Sequence, residues 1–381
     1  MQECDDDLQA DELALLLERV FVPAKDERRL GILIDLPDRE LVDHLRWKGR
    51  RELALSWRDA LRGTGRFEVE LYAYGNVHVN NADLPSHALC VEHELPDAIS
   101  ATFDTPLEEV FATTPLLLAL TELSATAPLK LEAPRFHFRA ATMPGFDKRM
   151  IPALRLDYGE VNRRVQLLKG HLDGAERAEI DFALGAETLS LTLDLRHRRA
   201  HASGGVLAQK GMAGNLPSGE TYIVPYEGER EGDASRSAGW LPVELEGEVV
   251  RYHIVENHAV EVAPGGEMAT REAQRLRDEP AYGNLAELGL GVLDDFGLAP
   301  IGEILLDEKL GLHIAFGRSD HFGGQVGAKD FSSPGAVVHI DRVYVPAMQP
   351  AIIVERVDLY PLEGGAPLAL MRDGRYVLAF D

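Results

Sequence analysis

The last third of the chain carries five side chains of metal-ligating type on four short segments: Glu220, Glu287, His313, and the pair His339 and Asp341. The segments are Asn215-Leu-Pro-Ser-Gly-Glu220, Ala286-Glu287-Leu-Gly-Leu-Gly291, Asp307-Glu-Lys-Leu-Gly-Leu-His313-Ile-Ala-Phe-Gly317 and Val338-His339-Ile-Asp341. Carboxylate oxygen with imidazole nitrogen is the ligand set of a hydrolytic Zn, Mn or Co centre. Two ions need about this many protein ligands when one carboxylate bridges them and water fills the other positions. Brought together, the five residues would make a two-metal hydrolase.

Each residue also has a plainer reading. Glu220 closes a turn before an apolar run, a place for an active-site side chain or for a solvated loop glutamate. Glu287 is flanked by apolar residues and glycines, so a buried carboxylate there needs a partner. A cation serves, and so do backbone N–H groups. His313 lies in Leu-His-Ile-Ala-Phe-Gly, as a satisfied core residue or as a ligand. Asp307 and Glu308 just upstream are carboxylates able to orient its imidazole. His339 and Asp341 are the sharpest pair, because residues i and i+2 of a strand point to one face. Val337, Val338, Ile340 and Val343 predict that strand, with the pair as ligands or as a structural contact. Lys309 stands out in a chain poor in lysine. His321 follows Asp320 nearby. His197 and His201 fall in a basic turn, His253, Glu256 and His258 on the outer face of a strand, and Asp294-Asp295 in a solvated loop. No G-x-S-x-G elbow supports serine catalysis, and Cys90 lacks the context of a nucleophile.

These residues need a scaffold. A chain of 381 residues suggests two domains, each long enough to bury a core. Hydrophobic content of 45% and charged content of 27% are ordinary for a soluble globular protein. A net charge of −24 argues against nucleic acid and against an anionic membrane as partners, since both require a basic face. Two cysteines, Cys4 and Cys90, make neither a disulfide framework nor a thiolate zinc site. The first residues show no basic n-region or apolar h-region, and no apolar run reaches membrane-spanning length, so the expected location is cytoplasmic.

Residues 10–20 predict a helix, Gly31–Leu36 a buried strand, 40–61 a helix ending at Gly63, and Phe67–Tyr74 a second strand. Strand, helix, strand predicts an α/β layer with parallel pairing. No G-x-G-x-x-G or P-loop follows Gly31. Pro128, Pro134, Pro144 and Pro152 mark a crossover region of short strand-like pieces. A helix over Tyr158–Leu172 follows, then short strands and many glycines, among them Leu245–Val250 and Val337–Ile340. The expected fold is α+β in two domains, an α/β N-terminal domain over 1–174 and a β-rich metal-binding domain over 175–381.

At the quoted segments the chain resembles the aminopeptidase T family of metallopeptidases, also called thermophilic or leucyl aminopeptidase T. Gly214-Asn-Leu-Pro-Ser-Gly-Glu220, Ala286-Glu287-Leu-Gly-Leu-Gly, Leu306-Asp-Glu-Lys309, His313-Ile-Ala-Phe-Gly317 and Val338-His339-Ile-Asp341 carry the likeness, in the family's order and spacing. It implies two divalent metal ions (Zn, Co or Mn) in a β-rich C-terminal domain, and a homodimer acting on peptides with a free N-terminus. By the same resemblance Glu220 and Glu287 are carboxylate ligands, with Glu287 the bridge. His313 serves one ion, and His339 and Asp341 complete the set. The family has a tyrosine ligand seven residues after the histidine matched by His313. Here that position is Asp320, an aspartate of shorter reach and full charge, followed by His321. A related branch of the fold is a mononuclear iron dioxygenase that cleaves hydroxylated pyridine rings. It is similar at the His-x-Asp pair, but it carries a histidine at the Glu287 position and lacks the Glu220 carboxylate. Both glutamates here favour the hydrolase.

The resulting expectation is a metal-dependent aminopeptidase. Water activated by the two ions attacks the scissile carbonyl, and Glu287 or Glu308 passes the proton to the leaving amine. Two alternatives remain. One is a related metal enzyme of different chemistry, either an iron ring-cleaving dioxygenase or an amide hydrolase of non-peptide substrates. The other is a non-catalytic descendant.

Overall fold

Runs of Leu, Ile and Val bounded by helices build the first layer. In the computed structural model, which describes residues 7–96 and 101–380, strand β1 (Arg29–Leu36) is buried throughout except at Arg29. It pairs in parallel with β2 (Glu68–Gly75) on one side and β3 (Leu116–Ala119) on the other. Strand β4 (Arg139–Thr142) continues in parallel beside β3, and Ala213–Asn215 beside β4. His87–Cys90 and Thr105–Pro106 extend the other edge antiparallel. Such strands read as unbroken apolar runs because both faces are covered.

Helix α1 (Ala10–Phe21) buries Leu13, Leu16, Leu17 and Val20, one stripe at helical spacing. Helix α2 (Leu45–Thr64) ends on Gly65 in the left-handed conformation (φ 67°), the glycine C-cap that the expected end at Gly63 approximates. Asp35, 1% exposed at the end of β1, joins these pieces. It accepts from Trp47 Nε1 of α2 at 2.8 Å and from the backbone N–H groups of Glu122 and Leu123 at 2.8 and 2.9 Å. The expected proline-rich crossover contains a helix, Thr126–Phe136. Pro128 falls in its first turn, where a missing N–H costs nothing.

Two compact units result. The first comprises Met1–Asn162, Ser203–Ser218 and Ile301–Leu306, the second Arg163–Ala202, Gly219–Pro300 and Asp307–Asp381. The protein is α+β, with the parallel layer in the first unit and antiparallel sheets in the second.

The second unit holds an eight-stranded sheet. Its order is His258–Val262, Glu248–Val255, Ala238–Leu245, Glu187–Asp194, Ala175–Leu184, Ile353–Pro361, Leu368–Arg372 and Arg375–Tyr376. The strand expected over Leu245–Val250 is broken in the structure. Instead Glu246 and Gly247, both at positive φ (51° and 83°), make a two-residue hairpin turn there. A second sheet, with β5 (Glu220–Ile223), β6 (Leu285–Gly291), β7 (Leu312–Gly317) and β8 (His339–Val343), has the order β8-β7-β6-β5 and His201–Ser203 at its edge. Strands β5, β6 and β7 are buried along their whole length. One face of this sheet packs against the larger one, with Phe316 5.0 Å from Tyr252 between ring centres. Among the described residues no helix is long and apolar enough to cross a membrane.

Candidate metal centre

Register decides which side chains of β5 to β8 meet. Glu220 pairs with Gly291 and Tyr222 with Gly289. Gly289 pairs in turn with His313, and Glu287 with Ala315. Across the next boundary Ala315 pairs with Asp341 and Gly317 with His339. Directly opposed residues share a face, and the face repeats every second residue. Glu220, Tyr222, Glu287, His313, His339 and Asp341 therefore project from one side of the sheet, all within the second unit. Phe316 and its neighbours take the other side. The positions between the functional groups are Gly289, Gly291, Ala315 and Gly317, which leave the face open. At Gly289 the opening is used: a Cβ there would lie 1.8 Å from His313 Nε2, so the imidazole lies over this glycine.

The side chains form two groups whose ligand atoms lie within 4.8 Å of one another: Glu220, Glu287 and His313, and Glu287, His339 and Asp341. Glu287 belongs to both. Its Oε1 is 3.1 Å from His313 Nε2, and its Oε2 is 3.5 Å from His339 Nε2. His313 Nε2 is also 3.7 Å from Glu220 Oε2, and His339 Nε2 is 3.4 Å from Asp341 Oδ1. Each imidazole uses its other nitrogen on a backbone carbonyl: His313 Nδ1 on Gly311 at 3.3 Å, His339 Nδ1 on Arg318 at 2.8 Å. A carbonyl only accepts, so both Nδ1 atoms carry the proton. This second contact orients a ligating histidine and fixes its tautomer.

Glu287 is 4% exposed, Glu220 6%, and Lys309 0%. Lys309 Nζ sits 3.2 Å from Glu220 Oε1 and also bonds Glu308. Four carboxylates (Glu220, Glu287, Glu308, Asp341) thus face one ammonium, a sum of −4 + 1 = −3 with neutral imidazoles. Burial alone would lower the pKa of His313, but Glu287, Asp341 and Glu220 outweigh it and raise it to about 9. His339 is raised well above its usual value, with Asp341 and Glu287 overcoming burial. Burial, reinforced by Glu220 and Asp341 and opposed by Lys309, pushes Glu308 up to about 8. The field attracts cations, and a metal competes with protons for the same Nε2 and carboxylate atoms. Hard oxygen donors, two oriented imidazoles and an excess of buried negative charge fit divalent ions.

The structure brings together Glu220, Glu287, His313, His339 and Asp341, with Glu308 beside them through Lys309. Asp320 belongs to neither group among the described residues. Arg318, two residues earlier, holds its carboxylate with Nε at 2.6 Å from Oδ1, in the 3-10 turn Asp320–Phe322. His321 in that turn stands 5.4 Å from the His339 ring and is held neutral, its pKa lowered to about 4 by burial and the His339 charge. Glu227, its side chain 3% exposed, anchors the loop, accepting from Asn284 Nδ2 at 2.8 Å, Ser319 Oγ at 2.5 Å and Gln325 N at 2.5 Å. Tyr222 was missed from sequence, although its i+2 relation to Glu220 is the rule that found His339 and Asp341.

No family model matches the sequence, and no curated protein matches it. Solved structures do. The 2,5-dihydroxypyridine dioxygenase of Pseudomonas putida KT2440 matches with a TM-score of 0.62, over 98% of this chain and 99% of its own, at 14% identity. AmpT from Thermus thermophilus, an aminopeptidase T, matches with a TM-score of 0.54, over 97% and 98%, at 16% identity. At such identities the likeness establishes a distant relationship of fold.

Proposed function

We propose that this protein is a metal-dependent aminopeptidase that removes the N-terminal residue of peptides. Two divalent ions, Zn, Co or Mn, would be held by Glu220, Glu287 and His313 on one side and Glu287, His339 and Asp341 on the other. The observation that carries this reading is Glu287, whose two oxygens face two different imidazoles as a bridging carboxylate requires. Bound there, the pair supplies Lewis acidity toward a carbonyl and a water of lowered pKa. The chain's own residues do the rest. The Gly311 and Arg318 carbonyls fix the imidazoles, and Lys309 keeps one oxygen of Glu220 occupied. Glu308, pushed up to about 8, carries a proton near neutral pH and can pass it to the leaving amine. A free N-terminus on the substrate, a homodimer and a cytoplasmic location belong to the same proposal.

The test joins elemental analysis with turnover of aminoacyl amides. Wild type should hold about two equivalents of redox-inert metal, and Glu287→Gln should lose both metal and turnover while staying folded. Unchanged turnover in Glu287→Gln would sink the assignment. A second reading, a mononuclear iron dioxygenase, is favoured by the higher TM-score of the dioxygenase structure. A single ion would sit in the Glu287, His339 and Asp341 group, with Glu287 where the dioxygenase branch has a histidine. About one equivalent of iron per chain would select it.

A further inference from the structure

The metal reading leaves one polar group of the sheet face unused. Tyr222 stands two residues from Glu220 and opposite Gly289, so it projects beside the ligand set with no side chain on Gly289 between it and His313. Its ring is fixed on both sides. His201 stacks on it at 5.2 Å, and Phe322 packs edge-on at 4.8 Å. The residue is 9% exposed, yet its hydroxyl makes no hydrogen bond among the described residues. The register sets Tyr222 on the face that carries Glu220, Glu287 and His313, and no hydrogen bond joins its hydroxyl to any of them among the described residues. The hydroxyl is not among the fully enclosed polar atoms, so it is open to solvent and free to meet a substrate group. The other donors here are committed: Lys309 to Glu220 and Glu308, His313 Nδ1 and His339 Nδ1 to carbonyls, and Arg318 to Asp320.

We propose that Tyr222 is a catalytic residue whose phenol O–H donates a hydrogen bond to the carbonyl oxygen of the substrate amide as negative charge gathers there. The inference rests on the hydrolytic reading. A rigid donor aimed at charge that develops only during reaction acts on kcat rather than on substrate binding. It needs no proton transfer to or from Tyr222. The stacked ring restricts the hydroxyl to one arc, so little ordering is left to be done when substrate arrives.

Tyr222→Phe removes one oxygen and keeps the ring, so its packing on His201 and Phe322 survives. Loss of one such donor should lower kcat about 100-fold with KM nearly constant. Metal content and thermal unfolding should match wild type. Calorimetry gives a readout independent of turnover. An aminoalkylphosphonate, whose tetrahedral anionic oxygens imitate the charged carbonyl, should bind about 100-fold more weakly to Tyr222→Phe, while the free amino acid product binds equally to both. Equal phosphonate affinity and a kcat within about three-fold of wild type would overturn the proposal. So would loss of metal in Tyr222→Phe, which would make the phenol a ligand rather than a donor. If wild type neither cleaves aminoacyl amides nor binds the phosphonate, the hydrolytic reading itself has failed, and the role of Tyr222 falls with it.

Discussion

Gly289→Ala puts the sheet-face geometry under direct strain. The added methyl would stand 1.8 Å from His313 Nε2, 2.1 Å from Cε1 and 2.5 Å from Cδ2. Ordinary contact begins at 3.4 Å, so the ring must withdraw by roughly 3.4 − 1.8 = 1.6 Å. His313 is fully buried and tied to Gly311 O at 3.3 Å and Glu287 Oε1 at 3.1 Å, so withdrawal gives up one or both contacts. Metal–ligand distances tolerate only about 0.2 Å. The ion of the Glu220, Glu287 and His313 group should therefore be lost. The Glu287, His339 and Asp341 group does not include His313 and should keep its own. The fold survives, since overpacking of this kind costs about 1–3 kcal/mol. Turnover should fall more than about 100-fold, the usual effect of a 1 Å misplacement at a reacting centre. The assay is metal content per chain with aminoacyl amide turnover, beside Gly335→Ala, where a new Cβ meets nothing within 4 Å. The expected result is one equivalent in place of two for Gly289→Ala and wild-type behaviour for Gly335→Ala. If Gly289→Ala keeps both ions and turns over within about ten-fold of wild type, His313 is not a ligand and the argument fails.

Two further outcomes follow from buried charge. Lys309→Met leaves Glu220 and Glu308 without their cation, which should cost the metal-free protein about 3–5 kcal/mol in denaturant unfolding. Added Zn or Mn should restore part of that, because bound ions stabilise the folded state and supply the missing charge. A loss under about 1 kcal/mol would show that Lys309 does not hold these carboxylates. In the first unit, burial would raise Glu27, but the Ala24 N–H at 2.8 Å and the Arg139 guanidinium more than offset it and hold its pKa to about 2. A folded pKa below the unfolded 4.5 means stabilisation that is full above about pH 4.5 and is lost as pH falls through about 2. Glu27→Gln should therefore cost about 2 kcal/mol at pH 6, after allowance for solvent, and progressively less toward pH 2.5. A pH-independent difference would rule out the carboxylate pair as its source.

The side chains that make the site were legible because their chemistry is written in residue type, and because His339 and Asp341 obey a rule local to one strand. The face they share was not. It depends on Glu220 opposing Gly291 and on Gly317 opposing His339, pairings set by distant segments. For the same reason nothing in the sequence marks Gly289 and Gly317 as the gaps in the sheet face. Asp320 illustrates the limit of position alone. Its offset from His313 matches a ligand of the resembled family, but Arg318 captures the carboxylate within a tight turn. The strand expected over Leu245–Val250 overlooks the Glu246-Gly247 pair, whose glycine is the turn signal of the hairpin. Tyr222 needed only the alternation rule, applied on β5 as it was on β8.

Charge alone does not choose between two ions and one. Two divalent ions with one bound anion bring the buried sum of −3 to zero. So does one divalent ion with a protonated Glu308, whose pKa of about 8 permits it. Geometry supports the two-ion proposal. Glu287 turns Oε1 to His313 and Oε2 to His339. A single ion at the Glu287, His339 and Asp341 group would leave His313 Nε2 facing Glu287 and Glu220, where a lone pair against two carboxylates is repulsive. His313 would then have to stay protonated, deep in the sheet, through every turnover. Two ions would remove that requirement, because each imidazole would then meet a cation through Nε2 while its Nδ1–H stays on a carbonyl. On the proposed two-ion reading, the glycine beneath the His313 ring is what lets β6 and β7 bring this imidazole to Glu287 and Glu220.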